Sequence, residues 1–336
     1  MKAVIFNEHG PTSNLHIGEI PEPECGPDDV IISVKAVALN GFDPMVVAGI
    51  EGLKIPLPMV PAGDVAGVVA KTGANVTEYK EGDRVTAYPF VPAEGMTGET
   101  RRGAAAEYIG FPKDHIIRIP DSVSFEDAAA LPIAYGTAYR MIHARAQAKK
   151  GEKALVLGAT GGVGNCAVLL LKEIGCEVIG CGSSGWKLDR LREIGCDHVI
   201  DTSSQDFMKA CREIAGKPRF GGGGGGVDIC INYIGGDTWM PSLRTLREGG
   251  RMLTCGATAG YDAQTDIRYV WSYELNIMGS NGWFPDDQVA LLDAVAEKRL
   301  KPVIDEVAPM SRAGEMIQKL ADRNVFGKVV LTPDWA

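Results

Sequence analysis

The sequence predicts an α/β chain in two parts, an irregular β-barrel followed by a doubly wound parallel sheet covered on both faces by helices. Three observations predict it. The first 120 residues carry short β-branched runs broken by prolines; strands and helices alternate from about residue 124; and a glycine-rich turn joins one of those strands to its helix.

In the first part, Val30–Val37, Ala66–Ala70 and Asp83–Tyr88 read as strands bounded by Gly, Pro or Asp. Prolines at 21, 23, 27, 56, 58, 61, 89, 92, 112 and 120 break any long helix there. Ser124 is placed to cap a helix running through Ala130, with Asp127 where a capping box has Glu or Gln. Strands are then expected at Lys153–Leu157, Glu177–Gly180, His198–Ile200, Val227–Ile231 and Arg251–Thr254. Helices are expected between them at Val163–Ile174, Trp186–Ile194, Phe207–Ile214 and Ser242–Arg247. The last segment reads as an edge strand at Leu275–Met278, a helix at Asp287–Lys298, a short strand at Val303–Ile304, a helix at Arg312–Leu320 and a strand at Gly327–Leu331. The run Gly221–Gly226 has no side chains to pack, so it reads as a mobile loop without chemistry.

A chain of 336 residues suggests about two domains. With 45% apolar and 23% charged residues it is too apolar for a disordered protein. The formal net charge of −9 argues against a nucleic acid or an anionic membrane as partner. The start Met1–Asn7 has no apolar run behind it and does not read as a signal peptide, and no stretch approaches the ~18 apolar residues of a membrane span. A soluble cytoplasmic protein is expected. Its eight cysteines contain no C-x-x-C pair and its five histidines do not cluster, so buried thiols are expected rather than disulfides or a metal site.

The stretch Gly158-Ala159-Thr160-Gly161-Gly162-Val163-Gly164 carries the clearest chemistry. It follows a strand and opens a helix. Glycine permits the tight turn and a close backbone approach, and the helix start offers free N–H groups to a pyrophosphate. An NAD site places an acid at the end of the next strand to hold the ribose 2′-OH. Here that place reads Gly182-Ser183-Ser184-Gly185-Trp186-Lys187, with no carboxylate. Ser183 and Ser184 can donate hydrogen bonds and Lys187 can neutralise a 2′-phosphate, which points to NADP(H).

Several further segments add a resemblance that covers essentially the whole chain. They are Ala38–Asp43, Pro61–Gly67, Gly82–Val85, Gly136–Tyr139, the glycine turn, Gly249–Arg251 and Gly327–Val330. In order and spacing they resemble the medium-chain dehydrogenase/reductase superfamily, which includes zinc alcohol dehydrogenases and zinc-free quinone oxidoreductases. The resemblance implies a GroES-like barrel catalytic domain from residues 1–125 and 272–336, an inserted Rossmann domain at 126–271, and an active site between them. It also implies that Thr137 and Lys328 contact the cofactor.

The family's zinc chemistry does not carry over. Asn40 stands at the position of the catalytic cysteine, Gly63 at that of the histidine and Ile133 at that of the third ligand, while Phe42 replaces the proton-relay hydroxyl. Tyr88–Ala106, where zinc enzymes often hold four cysteines, has none. Asn40 with Asp43, and Gly63 with Asp64, resemble the zinc-free quinone and enoyl reductase branch. That branch implies hydride transfer from NADPH to a quinone or to the activated C=C of an α,β-unsaturated carbonyl. Asn40 and Asp43 are then catalytic candidates. Ala48–Gly52 lacks the tyrosine that some members carry there, which leaves solvent, Tyr88 or Tyr135 as proton donor, each tyrosine having packing as its alternative role. Two other readings stay open: an alcohol or carbonyl dehydrogenase with an altered metal site using Asp43 and Asp64, and a non-catalytic NADPH-binding protein. A homodimer or homotetramer paired through the Leu275–Met278 edge is expected.

Overall fold

The computed structural model describes residues 1–183 and 185–335. The chain forms two compact units, Met1–Gly136 with Phe284–Ala336, and Thr137–Trp283. In chain order the strands of the first are β1 (Lys2–Ile5), β2 (His16–Glu19), β3 (Asp29–Leu39), β4 (Asp64–Thr72), β5 (Arg84–Ala87), β6 (Phe90–Val91), β7 (Gly95–Met96), β8 (Tyr108–Pro112) and β9 (Ile116–Arg118). The second unit supplies β10 (Lys153–Val156), β11 (Glu177–Gly182), β12 (His198–Asp201), β13 (Val227–Ile231), β14 (Leu246–Thr254) and β15 (Asn276–Gly279). The chain then returns to the first unit with β16 (Ile304–Pro309) and β17 (Lys328–Thr332).

The main sheet of the first unit runs β16-β17-β3-β4-β5-β9, with β8 also on β3. Strand β3 is long enough to serve three partners because register shifts bend it between Ile31 and Ile32 and between Val34 and Ala36. The last strand pairs antiparallel with it, Val329 opposite Leu39, so the two ends of the chain share one barrel. Alternate residues such as Ile32, Val34, Val37, Leu39, Val65, Val85, Val329 and Leu331 fill its core.

The second unit is a parallel sheet in the order β12-β11-β10-β13-β14-β15. Its inner strands β10, β11 and β13 are buried on both faces, as helix-covered strands must be. The order reverses between β10 and β13, which opens a crevice at their carboxyl ends. Six of the eight cysteines are buried and all are free; burial pushes the thiols of Cys196, Cys211 and Cys230 up to about 12. They act as small apolar side chains.

Several details differ from expectation. The helix Phe125–Ala130 lies in the first unit: it packs on β3 and β4, and Lys301 bonds both oxygens of Asp127 at 2.6 and 2.8 Å. Ser124 caps that helix through the Asp127 N–H at 3.0 Å, but the Asp127 carboxylate leaves the cap for the lysine. The second unit in turn keeps residues through Trp283, because β15 pairs with β14. The expected domain breaks at 125/126 and 271/272 thus move to 136/137 and 283/284.

The expected helix Ser242–Arg247 is instead the end of a helix Trp239–Leu243, with β14 starting at Leu246 opposite Val227. Strand Val303–Ile304 starts at Ile304 and extends to Pro309, since the ladder with β17 continues to Thr332. The glycine run is not wholly free, for Gly225 and Gly226 N–H groups bond Lys217 O and Ala215 O. Added to Gly225, a Cβ would sit 2.4 Å from Ala215 O. Among the described residues no helix is long and apolar enough to cross a membrane.

Candidate functional site

The barrel holds a buried polar cluster where β3, β4 and β17 meet. Lys328 Nζ donates to Leu39 O at 2.7 Å, Asn40 Oδ1 at 2.6 Å and Asp64 Oδ2 at 3.0 Å. An ammonium has three N–H donors, and all three have acceptors. Asn40 Nδ2 donates to Asp64 Oδ2 at 2.9 Å, and the Ile133 N–H donates to Asp64 Oδ1 at 2.9 Å. Asp43 accepts from the Asn40 N–H at 2.6 Å and the Ala62 N–H at 3.0 Å. Burial raises its carboxyl to about 6, against the pull of those two N–H groups and of Lys328. Asn40, Asp43, Asp64 and Lys328 are all buried. The cluster orients β-strand ends and holds one cation against two carboxyls. Lys328, expected to contact the cofactor, has its three N–H donors engaged within this cluster.

The same place shows how a zinc ion fits. Gly63 has no side chain, and a Cβ on it would meet Ile133 Cδ1 at 2.6 Å and Thr97 O at 2.6 Å. Ile133 therefore fills the volume that a ligand side chain at 63 needs. Asn40 has both amide atoms committed to Lys328 and Asp64. Among the described residues no three His, Cys, Asp or Glu side chains are grouped to hold a metal. The residues do not fit the ion.

Of the two tyrosines, Tyr135 is fully buried and its Oη accepts the Val303 N–H at 2.7 Å, which supports its packing role. Tyr88 is half-buried, stacked on His115 with ring centroids 5.8 Å apart.

In the second unit the turn Gly158–Gly164 leaves β10 and starts the helix Gly162–Ile174. Gly158 lies at φ +64°, the left-handed region that favours glycine. A Cβ on Gly164 would fall 2.3 Å from Gly158 O, so helix and strand approach as only glycine allows. The N-cap, Gly161, offers no side chain, and the helix start is left without a side-chain cap. Ala159 N–H bonds Cys181 O at 3.1 Å, and Thr160 packs its methyl toward Gly182, tying the turn to the end of β11. Gly161, Gly162 and Val163 stay half-exposed. Thr137 is buried in the short helix Gly136–Tyr139.

Past β11, Ser183 is exposed, and Ser184 lies outside the described residues. Lys187 sits in the first turn of the helix Gly185–Glu193, buried, with Nζ 5.4 Å from the Trp186 ring centroid. One acid escaped the sequence reading. Asp201 stands beside Gly182 in the β11–β12 ladder, where pairing across strands places it. Hydrogen bonds from Ser203 hold its carboxyl below the usual range, so it is ionised and already engaged.

Two more residues were missed: one follows another strand, the other directly follows the motif. Tyr233, just past β13, donates from Oη to Gly158 O at 2.6 Å. Asn165 is buried and donates from Nδ2 to Ala159 O at 2.6 Å. No signal within the glycine motif points to either partner.

Comparison with known proteins agrees with this architecture. Residues 26–121 match the alcohol dehydrogenase GroES-like domain, and residues 162–297 match the zinc-binding dehydrogenase family. The chain is 30% identical over 339 residues to the chloroplastic NADPH-dependent alkenal/one oxidoreductase of Arabidopsis thaliana, covering 99% of this chain and 80% of that one. It is 29% identical over 353 residues to 2-haloacrylate reductase of Burkholderia sp, covering 99% of each. A solved structure described as an NAD-dependent alcohol dehydrogenase superposes with a TM-score of 0.90 at 32% identity, covering 99% of both chains.

Proposed function

The chain belongs to the medium-chain dehydrogenase/reductase superfamily, as an oxidoreductase that uses a nicotinamide dinucleotide, and from that premise we propose that it is a zinc-independent, NADPH-dependent reductase of activated C=C bonds. The observation that carries this reading is Ile133 filling the space beside Gly63, which leaves no ligand set for a Lewis acid. Without that ion a plain ketone is much harder to polarise. A conjugated carbonyl already has an electron-poor β-carbon, and a quinone is likewise activated.

When bound, the reduced nicotinamide supplies a hydride to that carbon; a proton to the neighbouring carbon completes the product. The chain's own work is binding and orientation. The uncapped helix start at Gly162 receives the pyrophosphate, and Ser183, Ser184 and Lys187 receive the 2′-phosphate. The Asn40–Asp43–Asp64–Lys328 cluster fixes the surrounding backbone. The Tyr135 hydroxyl accepts from the Val303 N–H and keeps its own proton, so Tyr88, Tyr135 or solvent is the proton source. The printed activities of the alkenal/one oxidoreductase and the haloacrylate reductase support the substrate class. We further place the protein in the cytoplasm, as a homodimer or homotetramer joined through β15, an edge strand that exposes Ile277.

The alcohol dehydrogenase reading is favoured by the solved structure of that description and is separated by one assay. Purified protein is offered simple enones, quinones, ketones and alcohols with NADPH or NADH, and its metal content is measured. Turnover of enones or quinones with NADPH, without stoichiometric metal, is expected. Turnover confined to alcohols and ketones with one zinc per chain overturns the proposal.

A further inference from the structure

The strand order reverses between β10 and β13, so the residues that follow them face each other across the crevice. The ladder runs to Val156 opposite Ile231, and the Leu157 N–H bonds Ile231 O at 3.0 Å. Tyr233 follows two residues later. Its backbone is fixed by Asn232, which is fully buried and whose side chain bonds four residues. Asn232 Nδ2 donates to Thr238 Oγ1 and Ser242 Oγ at 3.0 Å each, and Oδ1 accepts the Ile234 and Gly235 N–H groups at 2.9 and 3.0 Å.

From that anchored position the tyrosine reaches into the glycine turn. Its Oη donates to Gly158 O at 2.6 Å. The Gly164 N–H faces that Oη, and burial pushes the phenol well above its ordinary range. A Cβ on Gly158 would lie 2.8 Å from Oη and 3.1 Å from Cζ, so ring and turn are in close contact. The neighbouring carbonyl, Ala159 O, is held in its turn by Asn165 Nδ2 at 2.6 Å. Two consecutive carbonyls of the turn are thus tied to side chains.

We propose that the Tyr233 hydroxyl is a positioning group for the cofactor, spanning the first and last glycines of the phosphate-binding turn and holding it in the form that presents its N–H groups. Asn165 does the same for the next carbonyl. The inference rests on the cofactor reading above and extends it to residues outside the motif. A flexible seven-residue turn loses conformational freedom when a pyrophosphate orders it; a turn already held by two side chains loses less, and binding is tighter.

The test is Tyr233→Phe, which deletes one oxygen and keeps the ring, with Asn165→Ala as the second variant. NADPH affinity is read directly by fluorescence titration, alongside KM, kcat with one enone, and thermal unfolding. The expected result is a Kd and KM for NADPH raised about threefold to tenfold, the range of one net hydrogen bond, with kcat kept within about twofold. Adenosine 2′-phosphate carries no 5′-phosphate for the turn, so its Kd should not move. A merely structural tyrosine would lower the melting temperature without that split between the dinucleotide and the fragment. Unchanged or tighter NADPH binding in Tyr233→Phe, beside a wild type that binds NADPH, overturns the positioning role alone. A wild type that binds neither NADPH nor NADH overturns the cofactor reading and this proposal together.

Discussion

In the barrel, every donor of Lys328 is matched by an acceptor, whereas the helix start at Gly162 in the parallel sheet has no side chain to cap it. Both sites are polar and both hold residues the family motifs single out. The barrel cluster is charged and closed: one ammonium and two carboxyls with their bonds made inside the protein. The turn is uncharged and open, with its carbonyls held by Tyr233 and Asn165 and its half-exposed residues at Gly161–Val163. The difference teaches that a polar residue type marks a binding site only where its hydrogen-bonding capacity is still unspent. On that ground the proposed function assigns binding to the turn and support to the barrel cluster.

The sharpest way to break this comparison is to open the closed site. Lys328→Met leaves Asp64 buried without its cation and should lower stability by about 3–5 kcal/mol, read from the urea midpoint. Adding Asp64→Leu should recover much of that loss. A single variant as stable as wild type would show that the cluster is not closed.

A second test uses pH. The folded state raises Asp43 from 3.8 to about 6, so between those values the folded protein holds a proton that the unfolded chain has released. The contribution of this group to stability is full below about pH 4 and falls as pH rises towards 6, by roughly 2–3 kcal/mol. Unfolding midpoints at pH 4.5 and 6.5 should therefore differ between wild type and Asp43→Asn in slope as well as in level. Parallel pH profiles would remove Asp43 as the titrating group.

At the open site, Lys187→Ala should weaken NADPH about tenfold, or about 1.4 kcal/mol, and leave NADH nearly unchanged. Ser183→Asp should shift preference towards NADH by repelling the 2′-phosphate. These are read as kcat/KM for both cofactors with one enone. Equal harm to both cofactors from Lys187→Ala would reassign that lysine to packing, where its burial beside Trp186 already gives it a place. The smallest expected effect is that of a chelator: prolonged dialysis against EDTA should leave enone turnover intact, and a metal-restored loss would return the alcohol dehydrogenase reading.

Much of the fold was legible because its causes are local. The switch from proline-broken β runs to alternating strands and helices survives in any short window, and so do the Ser124 cap and the glycine turn. The helix expected at Ser242–Arg247 failed because Leu246 pairs with Val227 in a neighbouring strand, which no local period reveals. The domain limits moved for a similar reason: Phe125–Ala130 has helical propensity wherever it packs, and it packs on β3 and β4.

The sequence by itself determined the residue types at the site: glycine where a Cβ does not fit, no carboxylate after β11, and Asn40, Gly63 and Ile133 where the family resemblance places metal ligands. Tertiary structure alone decided what those residues are bonded to. Lys328 and Asp64 are 264 positions apart, and Tyr233 is 75 positions from Gly158. A hydrogen bond acts over about 3 Å of space and carries no trace of chain separation. Composition and spacing can therefore announce a donor, while only the folded chain shows whether that donor is already engaged or still open to a ligand.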